Sequence, residues 1–319
     1  MFMDRIMPNR RGVPAPLLAV LPFLLVLLSP PPAVRAGETS LKSSPIPQTL
    51  EKMKERMGNG YDCIDKEGLL IVSDLDKKTL YRLMAQDFFI YMHILKRDFF
   101  TKPQKAGNQN RRPLLTVFLF KNRESYVAGL RKIGMSIAAE DENNQSAVRN
   151  GYFYGGKERN FILINYRDNY EYGISTYAHE LVHALLGEEF PRAPAWINEG
   201  IATMVGNSRV VNSHLRYAGS PSLGRMKKAL EEGTMIPLSE ILQLTGKDYA
   251  GRSNSLRYYD AGAQFCRFLH SRNQLLPIYR DLRDNTKNRE TDVEIICRIT
   301  GLRLDNLEKA WHDWLRRQE

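Results

Sequence analysis

Cysteine is scarce in this chain: only 3 of its 319 residues. Three thiols can make neither a disulfide scaffold nor the four-thiolate zinc site of a ribbon or finger. Long apolar runs are also missing. The longest, Leu17 to Leu28, is interrupted by Pro22 and falls short of the roughly 20 residues that cross a hydrocarbon core. There is no internal repeat, and Gly155-Gly156 precedes no helical pattern, so it is not a phosphate loop. The net charge of +10 comes without a nucleic-acid motif or interleaved aromatics. Basic stretches such as Lys102 to Arg112 and Arg316-Arg317 therefore read as solvated surface. With 43% hydrophobic and 26% charged residues, the composition is globular and excludes a largely disordered chain.

The amino terminus is organised like an export signal. Arg5, Arg10 and Arg11 precede the apolar run, Pro30 to Pro32 follow it, and Val34-Arg35-Ala36 offers a small-x-small cleavage pattern before Gly37. Cleavage after Ala36 would leave a secreted or periplasmic chain with no membrane span. It would remove four arginines and Asp4, lowering the net charge from +10 to +7. An uncleaved signal anchor is the other reading. In an oxidising compartment, Cys63, Cys266 and Cys297 would be one pair and a leftover, or three buried thiols. Cys266 and Cys297 lie in apolar helical patterns and are expected to be buried thiols.

Residues 37–66 are polar and carry Pro45 and Pro47, which suggests a linker with one short helix. From Gly68 the texture changes. Leu69 to Val72 reads as a buried strand. Asp76 can cap a long helix whose apolar positions Leu80, Met84, Phe88, Met92, Leu95 and Phe99 keep a near-3.6 period. A strand is expected from Leu114 to Phe120, then a helix from near Asn122. Tyr152-Phe153-Tyr154 and Phe161 to Ile164 read as a hairpin. After it, only helical patterns are expected, roughly over 172–187, 194–205, 222–232, 238–244, 257–271, 274–284, 291–299 and 305–317. Thr291 and Glu294 have capping-box spacing, and Asp305 with Glu308 is a weaker variant. The fold class is α+β, a small mixed sheet with helices followed by an all-helical half. The domain is expected over 67–319, with lobes of about 67–190 and 191–319.

The chemically informative stretch is His179-Glu180-Leu181-Val182-His183. Histidines at i and i+4 stand about 40° apart on one helix face, close enough to chelate one ion. Apolar neighbours Leu181, Val182, Leu185 and Leu186 would bury the rest of that helix. Two histidines there need a partner, and a divalent metal is the simplest. Glu180 projects beside such an ion and can take a proton from a metal-bound water. Downstream, Glu199 lies in the apolar helix Pro194 to Ala202, where a buried carboxylate without a partner is costly. Gly200 weakens that helix by about 1 kcal/mol relative to Ala, which is tolerable where a helix or ligand must approach closely.

His179-Glu180-x-x-His183 followed by Pro194-x-Trp196-x-x-Glu199-Gly200-x-Ala202 resembles the gluzincins, the thermolysin-like zinc metallopeptidases. It is most similar to their exported bacterial families. The resemblance extends more weakly over residues 67 to 317, including Tyr258 to Phe265 and Leu307 to Trp311. It implies a zincin-like two-lobed domain and one zinc ion held by His179, His183 and Glu199, with Glu180 as general base. It also implies a peptide or protein substrate, held by main-chain hydrogen bonds along an edge strand, Phe161 to Tyr166. A Tyr or His from the helical half would stabilise the oxyanion, with Tyr259 the first candidate and Tyr258 or His214 the others. One departure stands out. Thermolysin has an Asp one turn after the ligand Glu, and this chain has Thr203, which leaves the support of the zinc histidines open.

Two alternatives to a peptidase remain at this stage. One is a zincin-fold envelope binding or structural protein that keeps the metal but is catalytically silent. The other is a zinc hydrolase acting on non-peptide amides or cell-wall peptides. His93, His270 and His312 occupy helical segments without a ligand pattern and read as structural.

Overall fold

The computed structural model describes residues 49–100, 115–135, 151–155, 160–167, 169–217, 221–250, 255–285 and 289–318. The expected export signal and the basic loop from Lys102 to Arg112 lie outside them. No helix among the described residues is long and apolar enough to cross a membrane.

The chain enters through α1 (Leu50–Met57), capped by the Thr49 side chain, and turns into β1 (Asp62–Lys66) and β2 (Leu69–Ser73). The stretch read as a linker therefore supplies part of the fold. β1 pairs antiparallel with β2, and Met53 and Met57 of α1 are fully buried. Asp76 caps the next helix as expected, accepting from the Thr79 amide at 2.9 Å. That helix runs as α2 (Lys77–Leu83), a π-type turn (Met84–Phe88) and α3 (Phe89–Asp98). Every apolar position named for it, Leu80 through Phe99, is buried.

β3 (Leu115–Phe120) and α4 (Arg123–Lys132) follow, then β4 (Gly151–Gly155) and β5 (Asn160–Asn165), which form the expected antiparallel hairpin. The sheet order is β1-β2-β3-β5-β4, mixed, with β2, β3 and β5 parallel. Those central strands are buried on both faces, as parallel strands generally are. Leu69, Ile71, Val117, Leu119, Ile162 and Ile164 face the main core. Leu70, Val72, Phe118, Phe120, Phe161 and Leu163 face a second core closed by α1 and α4. The strand period of two thus decides which layer each side chain joins.

This order corrects one expectation. Phe161 to Tyr166 is not an edge, because β5 lies between β3 and β4. Among the described residues, the free edge on that side is β4.

Two long helices come next, α5 (Tyr170–Glu189) and α6 (Ala195–Gly206). A short hairpin of β6 (Arg209–Val211) and β7 (His214–Arg216) follows, so strands do not end with β5 as the periodicity suggested. Three-residue strands leave too little alternation to read. The remainder is helical: α7 (Pro221–Glu231), α8 (Leu238–Ile241), α9 (Gly246–Ala250), α10 (Ser255–Ser271), α11 (Leu275–Asp284), α12 (Asp292–Thr300) and α13 (Leu304–Arg317). Thr291 and Glu294 form the expected capping box of α12. Asp305 does not cap α13, whose N-cap is Arg303. The fold is thus α+β, and within its helical half Trp311 packs against Phe265 at 5.5 Å between ring centroids.

All three cysteines are free. Cys266 is buried as expected, whereas Cys63 and Cys297 are half-buried. Cys297 sits at the rim of its helix's apolar stripe, which the pattern alone did not distinguish from the core.

Candidate metal centre

α5 is capped by Asn169, whose side chain accepts from the Tyr172 amide at 3.0 Å. From there it carries a nearly unbroken buried face, with Tyr177, Ala178, Leu181 and Val182 fully enclosed. That packing brings His179 and His183 to one point, with their Nε2 atoms 3.1 Å apart. α6 starts at Ala195, with Pro194 as its N-cap at an extended ψ of 144°. It lays Glu199 against the pair, with Oε2 3.4 Å from His183 Nε2 and 3.8 Å from His179 Nε2.

These three residues form a group that could hold a metal ion, and it is the only such group among the described residues. The spacing can be tested against a known ion. Ligand atoms about 2.0–2.1 Å from a tetrahedral zinc stand about 3.3 Å from one another. The observed 3.1, 3.4 and 3.8 Å bracket that value.

The outer hydrogen bonds of the histidines point the same way. His183 Nδ1 lies 3.0 Å from Asn198 Oδ1, and His179 is hydrogen-bonded to the Ala202 backbone. An acceptor at Nδ1 keeps the proton there and turns the Nε2 lone pair toward the other ligands. Two such lone pairs facing a carboxylate are mutually repulsive unless a proton or a cation lies between them. Glu199 Oε2, moreover, is buried without a hydrogen-bond partner. Asn198 and the Ala202 carbonyl thus supply the support that Thr203 cannot. Thr203 Oγ1 is itself buried without a partner.

Titration behaviour follows from the same arrangement. Burial lowers the pKa of His179 well below its ordinary value, and the neighbouring His183 charge adds to the effect. Burial also pulls on His183, but Glu199, Glu180 and Asn198 outweigh it and raise its pKa to about 9. In the metal-free site, His183 is therefore the protonated member.

Glu180 is 3% exposed and borders the outer strand. A Cβ placed on Gly151 of β4 would fall 3.0 Å from Glu180 Oε1 and 2.2 Å from Thr176 Cγ2. A glycine at that position lets the strand edge reach the carboxylate. Tyr259 is buried, with its ring 6.5 Å from that of His179. Tyr258, next to it, is half-buried, and its hydroxyl points to Glu240 Oε1 at 3.4 Å. His214 is exposed on β7 beside the Asn212 carbonyl and takes no part in the group.

Asn198 and Gly151 border the centre without having been assigned a role from the sequence. For Asn198 a signal existed, a polar residue directly before the buried glutamate in an apolar helix. Gly151 carries none, since it matters only through a tertiary contact.

No protein-family model matches this chain, and a search of curated proteins finds no match.

Proposed function

We propose that the chain is an exported zinc-dependent metallopeptidase with a zincin-like domain. The observation that carries this reading is the convergence of His179, His183 and Glu199 with Glu180 beside them at an open strand edge. Two histidines and a glutamate are a known catalytic zinc set that leaves a position for water. A zinc ion held there would acidify a water and polarise a scissile carbonyl. Glu180, buried and next to the ligands, accepts the water proton on its carboxylate and passes it to the leaving amine nitrogen. The Tyr259 hydroxyl donates to the oxyanion that develops at the carbonyl. β4 offers its free main-chain groups to an extended substrate, which would add as one more strand. Sequence features favour export, through the amino-terminal signal pattern.

The test combines metal analysis with cleavage of a peptide library by wild type, Glu180→Gln and Tyr259→Phe. Zinc in all three, with cleavage lost by about 10²–10⁴-fold in Glu180→Gln, supports the reading. Tyr259→Phe should slow cleavage by about 10²–10³-fold at unchanged zinc content. Zinc bound without any cleavage in wild type would point instead to a silent binding protein or to a non-peptide amide substrate. Wild type that stays folded and binds no metal would sink the site.

A further inference from the structure

Buried hydroxyls near the centre divide into those that are hydrogen-bonded and those that are not. Tyr177 donates to the Phe88 carbonyl and Tyr91 to the Ser208 carbonyl. Tyr249 of α9 differs. It is 0% exposed, and its hydroxyl has no hydrogen-bond partner. An unpaired buried hydroxyl is unfavourable, so its retention asks for a reason.

Its position supplies one. α6 and α10 cross at Gly200 and Gly262, where a Cβ on Gly200 would lie 2.8 Å from the Gly262 carbonyl oxygen. A Cβ on Gly262 would lie 3.1 Å from the Tyr249 hydroxyl and 3.5 Å from Gly200 Cα. The hydroxyl thus rests on the Gly262 side of the crossing. The Tyr249 ring meets Tyr259 edge-on, with 4.9 Å between ring centroids. Glu199 Oε2 is likewise buried without a hydrogen-bond partner, so an orphaned donor on α9 and an orphaned acceptor on α6 lie on adjoining helices. Burial, and next the Glu199 charge, raise the pKa of Tyr249, so the phenol stays neutral and able to donate.

We infer that Tyr249 is a positioning residue for Glu199, its hydroxyl donating to the carboxylate when His179, His183 and Glu199 hold a metal ion. The inference rests on reading those three residues as a metal site, and it needs no peptidase activity. It would make one phenol on α9 the outer support of the glutamate, as Asn198 is for His183.

The experiment measures zinc affinity by competition with a chromophoric chelator, together with the melting temperature of the metal-free proteins. Tyr249→Phe keeps the ring and removes only the hydroxyl. It should bind zinc about tenfold more weakly, with a metal-free melting temperature unchanged or higher. Gly262→Ala, which presses a methyl toward the hydroxyl, should also weaken zinc binding. Equal zinc affinity in wild type and Tyr249→Phe would overturn the inference. So would a fall in affinity matched by a fall in metal-free melting temperature, which would assign the hydroxyl to packing. Wild type that binds no zinc would remove the site itself and the inference with it. A protein that binds zinc yet cuts no peptide would count against the peptidase reading alone.

Discussion

Gly151 and Glu180 are in contact across the boundary between sheet and helix: the first residue of the outer strand lies where any side chain would press on the carboxylate. A Cβ there would stand 3.0 Å from Oε1 and 3.3 Å from Cγ of Glu180. The strand that would pair with substrate and the group that would move the proton are therefore packed on one another.

Gly151→Ala should destabilise the fold by about 1–3 kcal/mol, because its methyl also overlaps Thr176 Cγ2. Adding Thr176→Ser removes that second methyl and should restore the melting temperature. Cleavage by the double variant should stay slow, since Glu180 is still crowded. Thermal melts and kcat/KM of the two single variants and the double separate these effects. A double variant as active as Thr176→Ser would show that the strand does not set Glu180.

Asn198→Ala should weaken zinc binding by about 10–100-fold, because His183 loses the acceptor at 3.0 Å that orients its ring. Chelator competition reads this directly. An unchanged affinity would mean that burial alone orients the histidine.

The pH dependence of the metal-free protein follows from His183. Its pKa stands raised from 6.5 to about 9. Protonation therefore adds stability that is complete below about pH 6.5 and is lost as pH rises through about 9. His179 is shifted the other way, so its contribution is lost as pH falls below the ordinary histidine range. Between pH 7 and 9 the melting temperature of the metal-free protein should fall, and Glu199→Gln should flatten that slope. Zinc uptake at pH 8 should release about one proton, seen by calorimetry in buffers of different ionisation enthalpy. A flat melting profile in this window would contradict the assignment of the proton to His183.

Arg283 of α11 pairs with Glu189 at the end of α5, with side chains 10% and 7% exposed. Arg283→Met alone should cost about 3–5 kcal/mol, because it leaves a buried carboxylate without its partner. Replacing both, as Arg283→Met with Glu189→Leu, should recover most of that loss. Urea unfolding of the three proteins measures the difference, and a harmless single variant would mean that the carboxylate reaches water.

Much of the scaffold was legible because burial imposes a period. The helix from Lys77 to Asp98 showed its buried positions every three or four residues, and the parallel strands showed as continuous apolar runs. The metal candidates were legible for a related reason. Histidines four apart, and a glutamate in an apolar helix, break the pattern that surrounds them. Where the pattern is short or one-sided, the reading failed. β6 and β7 are three residues each, and β1 is half-exposed and lies within the stretch read as a linker.

Sequence by itself determined which side chains must be buried and which of those could not be buried alone. His179, His183 and Glu199 follow from that, because charge and unpaired polarity are costly in a core whatever its shape. Strand order, and with it the choice of β4 over β5 as the open edge, came only from the tertiary structure. A hairpin reads the same from either side until a third strand has paired with one of its arms. The same holds for Asn198 and Gly151, whose places beside the centre are set by how helices and strands cross.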